Sequence, residues 1–454
     1  MKTQNTTRRR FLQNTSLAAA PLILPAGTLS AQSKPGGVLR MGFIGMGKQS
    51  GGLLGNFINQ DGIEVVAVCD VDTTRRENAK GKVEGHYSKA KKKPGGWKGC
   101  DSVVEFEKIT ERDDIDAVCI ATPDHWHAAI TVSALKNGKD VYCEKPLTHN
   151  IHESIVVIDE VAKNKRVLQT GSMQRSSNEF RVAAELVRNG AIGKLERVEV
   201  SFGDPGKPCD LKEEEMEKGL DWDRWCGPGP ARGYSSVLSP RGLHNHFPHW
   251  RNYMEYGGGM VTDWGAHHID IANWGIGADE SGPVEARPPE GWEQWKSKRG
   301  AVLVYEGGVT VEHKDGVGVH FYGTEGEVLV NRGRFALKRG GEFVARFLRD
   351  KKDDRRSSLG NQVALAEKEF LKDSKVPLYR SGHHIRDFLG AVESRKKPIT
   401  SEIVGGRSAI ACHLMNQAYY HGETLKWNPA KNEFAGGTGD ASWLTRDYRG
   451  PWKV

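Results

Sequence analysis

From residue 38 onward, short runs of β-branched and apolar residues alternate with stretches of helical pattern. Strands that alternate with helices form right-handed crossovers and pair in parallel, because each helix packs back on a face of the sheet. The sequence therefore predicts an α/β fold with a doubly wound parallel sheet in its N-terminal part. The predicted elements are strands at 38–44, 65–71, 117–121 and 141–143 and helices at 51–59 and 128–137.

The pattern changes after Asn150. Two helical stretches and one strand come first, and four further strands then follow with glycine-rich turns between them. Such a run predicts an α+β domain with a large open, mainly antiparallel sheet. One face of this sheet can pack on helices, while the other can close over a ligand or a second subunit. The predicted helices are 153–164 and 179–189, and the strands are 195–202, 301–305, 309–312, 317–322 and 327–330.

The first 33 residues have the organisation of an export signal. Residues 7–13 read TRRRFLQ, a twin-arginine pattern, and a short apolar run at 17–29 is interrupted by Pro21 and Pro25. Crossing a bilayer takes about 20 continuous apolar residues, which this run does not provide. We therefore expect recognition by the twin-arginine export machinery, a periplasmic or otherwise exported product, and no membrane association after processing. A disordered basic N-terminus is the alternative.

The net charge of +7 gives little support for a nucleic-acid partner. Residues 1–33 contain four basic and no acidic residues, so the remainder carries only +3. Nucleic-acid binding needs a concentrated basic patch, and the single Lys- and Gly-rich run at 81–99 is typical of a solvated surface insertion. Seven cysteines, an odd number, argue against a complete disulfide framework. Four of them remain candidates for pairing: Cys100, Cys209, Cys226 and Cys412.

The first chemical motif, Gly45-Met46-Gly47-Lys48-Gln49-Ser50, follows a predicted strand and opens a helix. A dinucleotide needs a tight turn at the first glycine, close backbone approach at the second, and free N–H groups where the helix begins. Asp70 ends the second strand, where a carboxylate accepts both ribose hydroxyls. It would repel a 2′-phosphate and so favours NAD over NADP, although Arg75 and Arg76 keep NADP open. An ordinary glycine turn is the alternative.

Two further polar clusters follow predicted strands, at the sheet edge where doubly wound folds bind ligands. They read Thr122-Pro123-Asp124-His125-Trp126-His127 and Cys143-Glu144-Lys145-Pro146-Leu147. At these residues the sequence resembles the Gfo/Idh/MocA family of oxidoreductases, whose marker is a Glu-Lys-Pro segment at this place. The resemblance continues through Gln174-Arg175, through residues 190–194 and 257–267, and through residues 381–413.

The resemblance implies a Rossmann domain that binds a nicotinamide dinucleotide at residues 34–150. It also implies a substrate-binding and oligomerisation domain at 151–454, whose C-terminal helices can pack back on the first domain. We expect a homo-oligomer that assembles through the open sheet. The predicted cofactor-binding residues are Gly45, Met46, Gly47, Lys48, Gln49, Asp70, Thr122, Pro123, His125, His127, Glu144 and Lys145.

The resemblance also implies three catalytic residues: Lys145, Asp263 and His267. Oxidising an alcohol requires removal of the O–H proton while a hydride leaves the carbon. A histidine titrates near neutral pH, a carboxylate can fix its tautomer, and an ammonium group can stabilise the alkoxide. The spacing of four residues places Asp263 and His267 on one helical face. A helix-capping Asp263 followed by an uninvolved His267 is the alternative.

Aromatic and polar side chains together predict a carbohydrate or cyclitol substrate, because a sugar ring has an apolar face and a hydroxyl rim. The predicted substrate contacts are Trp126, Arg175, His246, Trp250, Trp264 and His268. Several histidines lie close together, but no His-Glu-x-x-His motif or carboxylate-rich set accompanies them, so no metal site is predicted. A long Pro- and Gly-rich loop at 204–250 is expected to shape the substrate mouth.

These features predict an NAD(P)-dependent oxidoreductase that moves a hydride between a tightly bound cofactor and a hydroxyl of a sugar, cyclitol or glycoside. Tight binding is expected because free NAD should be scarce outside the cytoplasm. A redox-neutral glycosidase that works by oxidation, elimination and reduction is the alternative. Its further acid or base would come from His127, His246, His268 or Tyr234. A sugar-binding protein with a vestigial site is a third possibility, which the joint presence of the three catalytic candidates disfavours.

Overall fold

The computed structural model describes residues 37–89, 97–353 and 355–454. The predicted export signal lies outside these ranges. None of the described helices is long and apolar enough to cross a bilayer. All seven cysteines are free thiols, so none of the four candidates for pairing forms a disulfide.

The N-terminal sheet has six strands: β1 (Leu39–Ile44), β2 (Ile63–Cys69), β3 (Asp101–Val103), β4 (Ala117–Ile120), β5 (Asp140–Cys143) and β6 (Leu168–Thr170). All are parallel, in the order β3-β2-β1-β4-β5-β6. This confirms the predicted doubly wound sheet. The order in which strands are added to the sheet reverses between β1 and β4, and doubly wound sheets bind ligands at this switch point. The last strand, β6, lies beyond residue 150, where we placed the domain boundary.

Helices cover both faces of this sheet. One face packs against the first two helices and the other against the next three, around separate apolar cores. The run at 81–99 is not a surface insertion throughout, because a helix continues to Lys89 and buries a stripe of Ala79, Val83 and Tyr87. The five helices are α1 (Lys48–Ile58), α2 (Thr73–Lys89), α3 (Glu107–Thr110), α4 (Asp124–Lys136) and α5 (Ile151–Asn164).

The second sheet has ten strands: β7 (Leu195–Val200), β8 (Glu285–Arg287), β9 (Val302–Val304), β10 (Thr310–His313), β11 (Val319–Gly323), β12 (Gly326–Asn331), β13 (Arg334–Arg339), β14 (Glu342–Phe347), β15 (Leu425–Asn428) and β16 (Glu433–Ala435). Their order is β14-β13-β12-β11-β7-β10-β9-β8-β15-β16. Only β7 and β10 pair in parallel, which confirms the predicted open, mainly antiparallel sheet.

Seven helices complete the described chain: α6 (Asn178–Arg188), α7 (Trp222–Cys226), α8 (Gly259–Asp263), α9 (Gly265–Ile276), α10 (Leu359–Phe370), α11 (His384–Ser394) and α12 (Glu402–His421). Helices α6, α9, α10 and α12 share one apolar core with the second sheet. In contrast, α11 packs on the first sheet, where Phe388 lies 6.1 Å from Phe57 and 5.9 Å from Tyr142 between ring centroids. The face of the second sheet away from the helices has polar, partly exposed residues such as Glu199 and Lys338. Assembly through it stays a prediction.

Arg175 stabilises the core, although we predicted it as a substrate contact. It is 2% exposed and lies in a 3-10 turn, Met173–Ser176. Its guanidinium group donates to the carboxylate of Asp270 at 2.8 Å and to that of Asp279 at 2.7 Å. Asp270 belongs to α9 and is fully buried, so the ion pair anchors this helix to the turn that follows β6.

We expect Arg175→Met to lower the free energy of unfolding by about 3–5 kcal/mol, because it leaves the buried Asp270 carboxylate without its counter-charge. Urea unfolding followed by tryptophan fluorescence measures the change. The matched control is Arg287→Met, which removes a surface ion pair with Glu285 and should cost less than about 1 kcal/mol. Equal stability of the two variants would contradict the structural role of Arg175.

Candidate active site

A cavity of about 480 Å³ lies at the carboxyl ends of the strands of the first sheet. Its walls come from the glycine turn after β1, the end of β2, the turn between β4 and α4, the residues after β5, and the α8–α9 region. Residues 238–252, which we call the strap, cover one side. The predicted site residues that line it are Gly45, Gly47, Lys48, Gln49, Asp70, Thr122, Pro123, Trp126, His127, Glu144, Lys145, Trp250, Asp263, Trp264 and His267.

The glycine turn has the local geometry that the motif predicts. Gly45 has φ +85°, and a Cβ atom there would lie 2.7 Å from the backbone nitrogen of Thr122. A Cβ atom on Gly47 would meet nothing within 4 Å, and no side chain caps the start of α1. Met46 contributes its backbone, since its N–H donates to Asp70 Oδ2 at 2.6 Å, and its side chain does not line this cavity.

Asp70 closes this end of the cavity. Burial raises the pKa of its carboxyl group, and nearby Arg75 opposes the shift. Both arginines that kept NADP open have protein partners: Arg75 contacts Ser239 Oγ at 3.3 Å and the carbonyl oxygen of Pro240, and Arg76 donates to the Asp70 carbonyl oxygen at 2.7 Å.

The strap is joined to the end of the cavity that the glycine turn and Asp70 form, which is the predicted nucleotide end. Lys48, at the start of α1, donates a side-chain hydrogen bond to Asn245, and Arg75 from α2 donates to strap residues Ser239, Pro240 and Gly242. These contacts hold the strap over the glycine turn and the end of β2. The predicted loop at 204–250 therefore covers the nucleotide end as well as the mouth.

Lys145 and Asp263 form an ion pair at the opposite end of the cavity. The Nζ atom of Lys145 donates to the Asp263 carboxylate and, at 2.9 Å, to its backbone carbonyl oxygen. Arg251 Nε lies 3.5 Å from the same carboxylate. Burial favours the neutral acid, but the two cations outweigh it and hold the pKa of Asp263 below its usual value. Asp263 is therefore a carboxylate at neutral pH.

His267 lines the same end, but it does not pair with Asp263 as we expected. The carboxylate of Asp263 faces Lys145 and Arg251 instead. The Nδ1 atom of His267 is buried and has no hydrogen-bond partner among the described residues. Burial, followed by the charges of Lys145 and Arg332, holds the pKa of His267 well below its ordinary value. The ring is neutral at pH 7.

The histidines of the β4–α4 cluster have structural roles. Because α4 begins at Asp124 and not at residue 128, successive side chains leave the helix in different directions. His125 turns away from the cavity, where Trp225 O lies 3.0 Å from its Nε2, and burial lowers its pKa to about 3. His127 lines the cavity, with Nδ1 2.7 Å from the carbonyl oxygen of Pro146 and Nε2 3.0 Å from that of Thr122.

Glu144 stands beside the ion pair as a buried acid. Burial raises its pKa, and the charge of Lys145 opposes the shift. Its Oε1 atom has no partner among the described residues, and a Cβ atom on Gly171 would lie 2.6 Å from it. A glycine at position 171 is therefore what leaves room for this carboxyl group.

Two further predicted substrate contacts also lie outside the cavity. His246 is exposed, with its ring 4.6 Å from that of His244, and His268 is buried with Nδ1 2.7 Å from the Ser201 carbonyl oxygen. Three arginines that the sequence analysis missed do line the cavity: Arg224, Arg251 and Arg332. Arg251 directly follows the predicted substrate contact Trp250, and this adjacency could have identified it from the sequence. Arg332 comes from the turn between β12 and β13. No group of described side chains is arranged to hold a metal ion.

Two family models match the chain. The first, described as "Oxidoreductase family, NAD-binding Rossmann fold", matches residues 39–172, and the second, described as "Oxidoreductase family, C-terminal alpha/beta domain", matches residues 189–330; both are models of Gfo/Idh/MocA proteins. The chain belongs to the Gfo/Idh/MocA oxidoreductase family. The matched residues cover the first sheet, β7 to β11 and most of β12 in the second sheet, and all three catalytic candidates.

Curated relatives include glycosidases by name. A glycosyl hydrolase family 109 protein of Shewanella pealeana is 27% identical over 303 residues, which are 56% of this chain and 65% of the relative. An alpha-N-acetylgalactosaminidase of Shewanella oneidensis is 27% identical over 216 residues, 44% of this chain and 46% of the relative. The chain thus spans between about half and two thirds of the length of these relatives.

Solved structures show the same fold at low identity. An aldose-aldose oxidoreductase from Caulobacter crescentus, complexed with glycerol, matches with a TM-score of 0.55 and 17% identity over 86% of this chain and 99% of that one. An NAD-binding protein from Listeria innocua matches with a TM-score of 0.55 and 17% identity over 86% of this chain and 96% of that one.

We expect the imidazole of His267 to titrate below the ordinary range of a histidine, because burial and two cations lower its pKa by disfavouring its protonated form. Replacement of Lys145 by Met removes one cation and should move the titration midpoint upward, toward the ordinary value. NMR of the full chain labelled at histidine Cε1 measures both, with His267→Gln for assignment and the exposed Lys194→Met as the control variant. A wild-type midpoint at or above pH 6.5 would contradict the assignment.

Proposed function

We propose that this protein is an NAD-dependent oxidoreductase that transfers a hydride between a tightly held cofactor and a hydroxyl group of a carbohydrate or cyclitol. The observation that carries the proposal is the convergence of Lys145, Asp263 and His267 on one end of a cavity whose other end has the glycine turn and Asp70.

The residues at the nucleotide end suit NAD. Gly45 and Gly47 allow close backbone approach, and the uncapped start of α1 presents N–H groups to a pyrophosphate. Asp70 stands where a carboxylate accepts ribose hydroxyls, and Arg75 and Arg76 are engaged by the protein, so NAD is favoured over NADP. When bound, NAD supplies the hydride acceptor or donor.

The other end supplies proton transfer and charge. His267, neutral at pH 7, accepts the hydroxyl proton on its imidazole ring. The ammonium group of Lys145 donates to the oxygen on which negative charge develops. Asp263 orients this ammonium group through its carboxylate and its backbone carbonyl oxygen, and Arg251 holds the carboxylate in place.

A redox-neutral glycosidase is the second candidate, and the names of the curated relatives favour it. This reaction needs an acid or base for the elimination step in addition to the groups that serve hydride transfer. Of the four residues that the sequence suggested, only His127 lines the cavity, and its ring nitrogens face the carbonyl oxygens of Pro146 and Thr122. Asp124 fits better, because it also lines the cavity. Burial, followed by the charge of Asp263, raises the pKa of Asp124 well above its usual value, which favours the protonated acid.

Export and assembly complete the proposal. The twin-arginine pattern supports export to the periplasm or beyond, with no membrane association after processing. The polar open face of the second sheet supports a homo-oligomer. The joint presence of the three catalytic groups around one cavity disfavours the sugar-binding protein with a vestigial site.

A cofactor-release and substrate screen tests the function. We expect the purified protein to release a nicotinamide nucleotide on denaturation and to change its nicotinamide absorbance with some sugar, cyclitol or glycoside. Lys145→Ala or His267→Gln should lower turnover by about 10²–10⁴-fold with the fold retained, as circular dichroism would show. A released aglycone without net reduction selects the glycosidase, and the absence of any bound or bindable nucleotide excludes both reactions.

We expect Asn245→Ala to speed NAD dissociation about tenfold, because it removes the hydrogen bond that Lys48 gives to the strap, a bond to a charged donor. Stopped-flow fluorescence of the reduced cofactor measures the rate. The control is Asn361→Ala, at the exposed start of α10. Equal dissociation rates in the two variants would mean that the strap does not retain the cofactor.

A further inference from the structure

Arg332 reaches the active-site cavity from the second sheet. It lies in the turn between β12 and β13, lines the cavity and is exposed. Its guanidinium carbon lies 4.6 Å from the centre of the Trp264 ring, and Trp264 is itself 38% exposed. The two side chains form a flat aromatic and cationic wall beside His267.

Arg332 differs from the other cations at this end of the cavity in having no carboxylate partner among the described residues. Lys145 and Arg251 share the carboxylate of Asp263, whereas Arg332 forms no ion pair with any described residue. The Nε atom of Arg332 donates to the side-chain amide oxygen of Gln174 at 3.3 Å. This contact holds for the amide orientation of Gln174 in which both its oxygen and its nitrogen have partners. The terminal N–H groups of the guanidinium group have no hydrogen-bond acceptor in the described part of the chain, so they are free to bind a ligand.

A free guanidinium group beside an aromatic ring is suited to a carboxylate. The fork binds a carboxylate through two parallel hydrogen bonds, which fixes its position as well as its charge. Contact with the Trp264 ring restricts the plane of the fork, so less conformational freedom is lost on binding. The excess of positive charge at this end also opposes binding of cationic sugars.

We propose that Arg332 binds a carboxylate of the substrate, so that the substrate is a sugar acid, either a uronate or an aldonate, free or as a glycoside. This inference rests on the proposed function, since it assigns the substrate class of the same site. It makes Arg332 a specificity-determining residue, while the proton and hydride steps stay with Lys145 and His267.

Matched substrate pairs test this proposal in the NAD-bound full chain. Glucuronate with glucose, and galacturonate with galactose, are compared by nicotinamide absorbance. We expect the acid to have the higher kcat/KM, and Arg332→Gln to lower the ratio of acid to neutral kcat/KM by about 10–100-fold, the range for a hydrogen bond to a charged group. The ratio cancels any common effect on His267. Arg332→Lys should recover part of it, because charge returns without the fork.

The control is Arg334→Gln, which removes an arginine of the same hairpin that does not line the cavity. Its ratio should equal that of the wild type. An unchanged ratio in Arg332→Gln, or a wild-type preference for neutral sugars, overturns the inference. A stronger effect with sulfated sugars than with uronates overturns the assignment to carboxylates.

A binding measurement separates this inference from the proposed function. Isothermal titration of the NAD-bound protein with glucuronate reports affinity without turnover. Binding that depends on Arg332 while no sugar changes the nicotinamide absorbance would reject the oxidoreductase and keep the sugar-acid site. Turnover of sugars with no dependence on Arg332 would keep the oxidoreductase and reject the sugar-acid site.

Discussion

The ion pair between Lys145 and Asp263 joins two parts of the chain that are 118 residues apart, and the arrangement of the site depends on it. Lys145 follows β5 of the first sheet, whereas Asp263 ends α8, which packs with α9 and α12. Both side chains are largely shielded from water, so separating them would leave two poorly hydrated charges. The pair therefore favours one placement of α8 against the first sheet, and this placement fixes where the start of α9 meets the end of β5.

Asp263 and His267 have different partners, and they do not pair with each other. The carboxylate serves the ammonium group of Lys145, and the imidazole stays neutral through burial and neighbouring cations. The same cations that lower the pKa of His267 also attract the negative charge that forms when it takes a proton from substrate. The same cations therefore determine both the pKa of the base, His267, and the stabilisation of the negative charge on the substrate.

The sequence predicted what local patterns determine. The alternation of strands and helices and the glycine turn occupy the predicted places, because each depends on residues that are neighbours in the chain. Strands β3 and β6, with three residues each, are too short to give a pattern. His125 was misplaced because α4 begins four residues earlier than predicted, and the direction of a side chain depends on where its helix begins. Arg332 had no signal, since only the packing of a distant hairpin brings it to the cavity.

Tight retention of the cofactor, as we propose it, would constrain the kind of cycle that this site can run. The strap contacts both Lys48 at the start of α1 and Arg75 on α2, and these hydrogen bonds would have to break if the strap were to open for release of a dinucleotide. If release is slow compared with turnover, a hydride taken from one substrate must be returned to a second substrate or to a later intermediate of the first. Sugar-to-sugar transfer and redox-neutral glycoside cleavage both satisfy this condition, whereas net oxidation with exchange of free NAD does not. The rate at which the strap opens therefore separates the two reactions that retain the cofactor from net oxidation with exchange of free NAD.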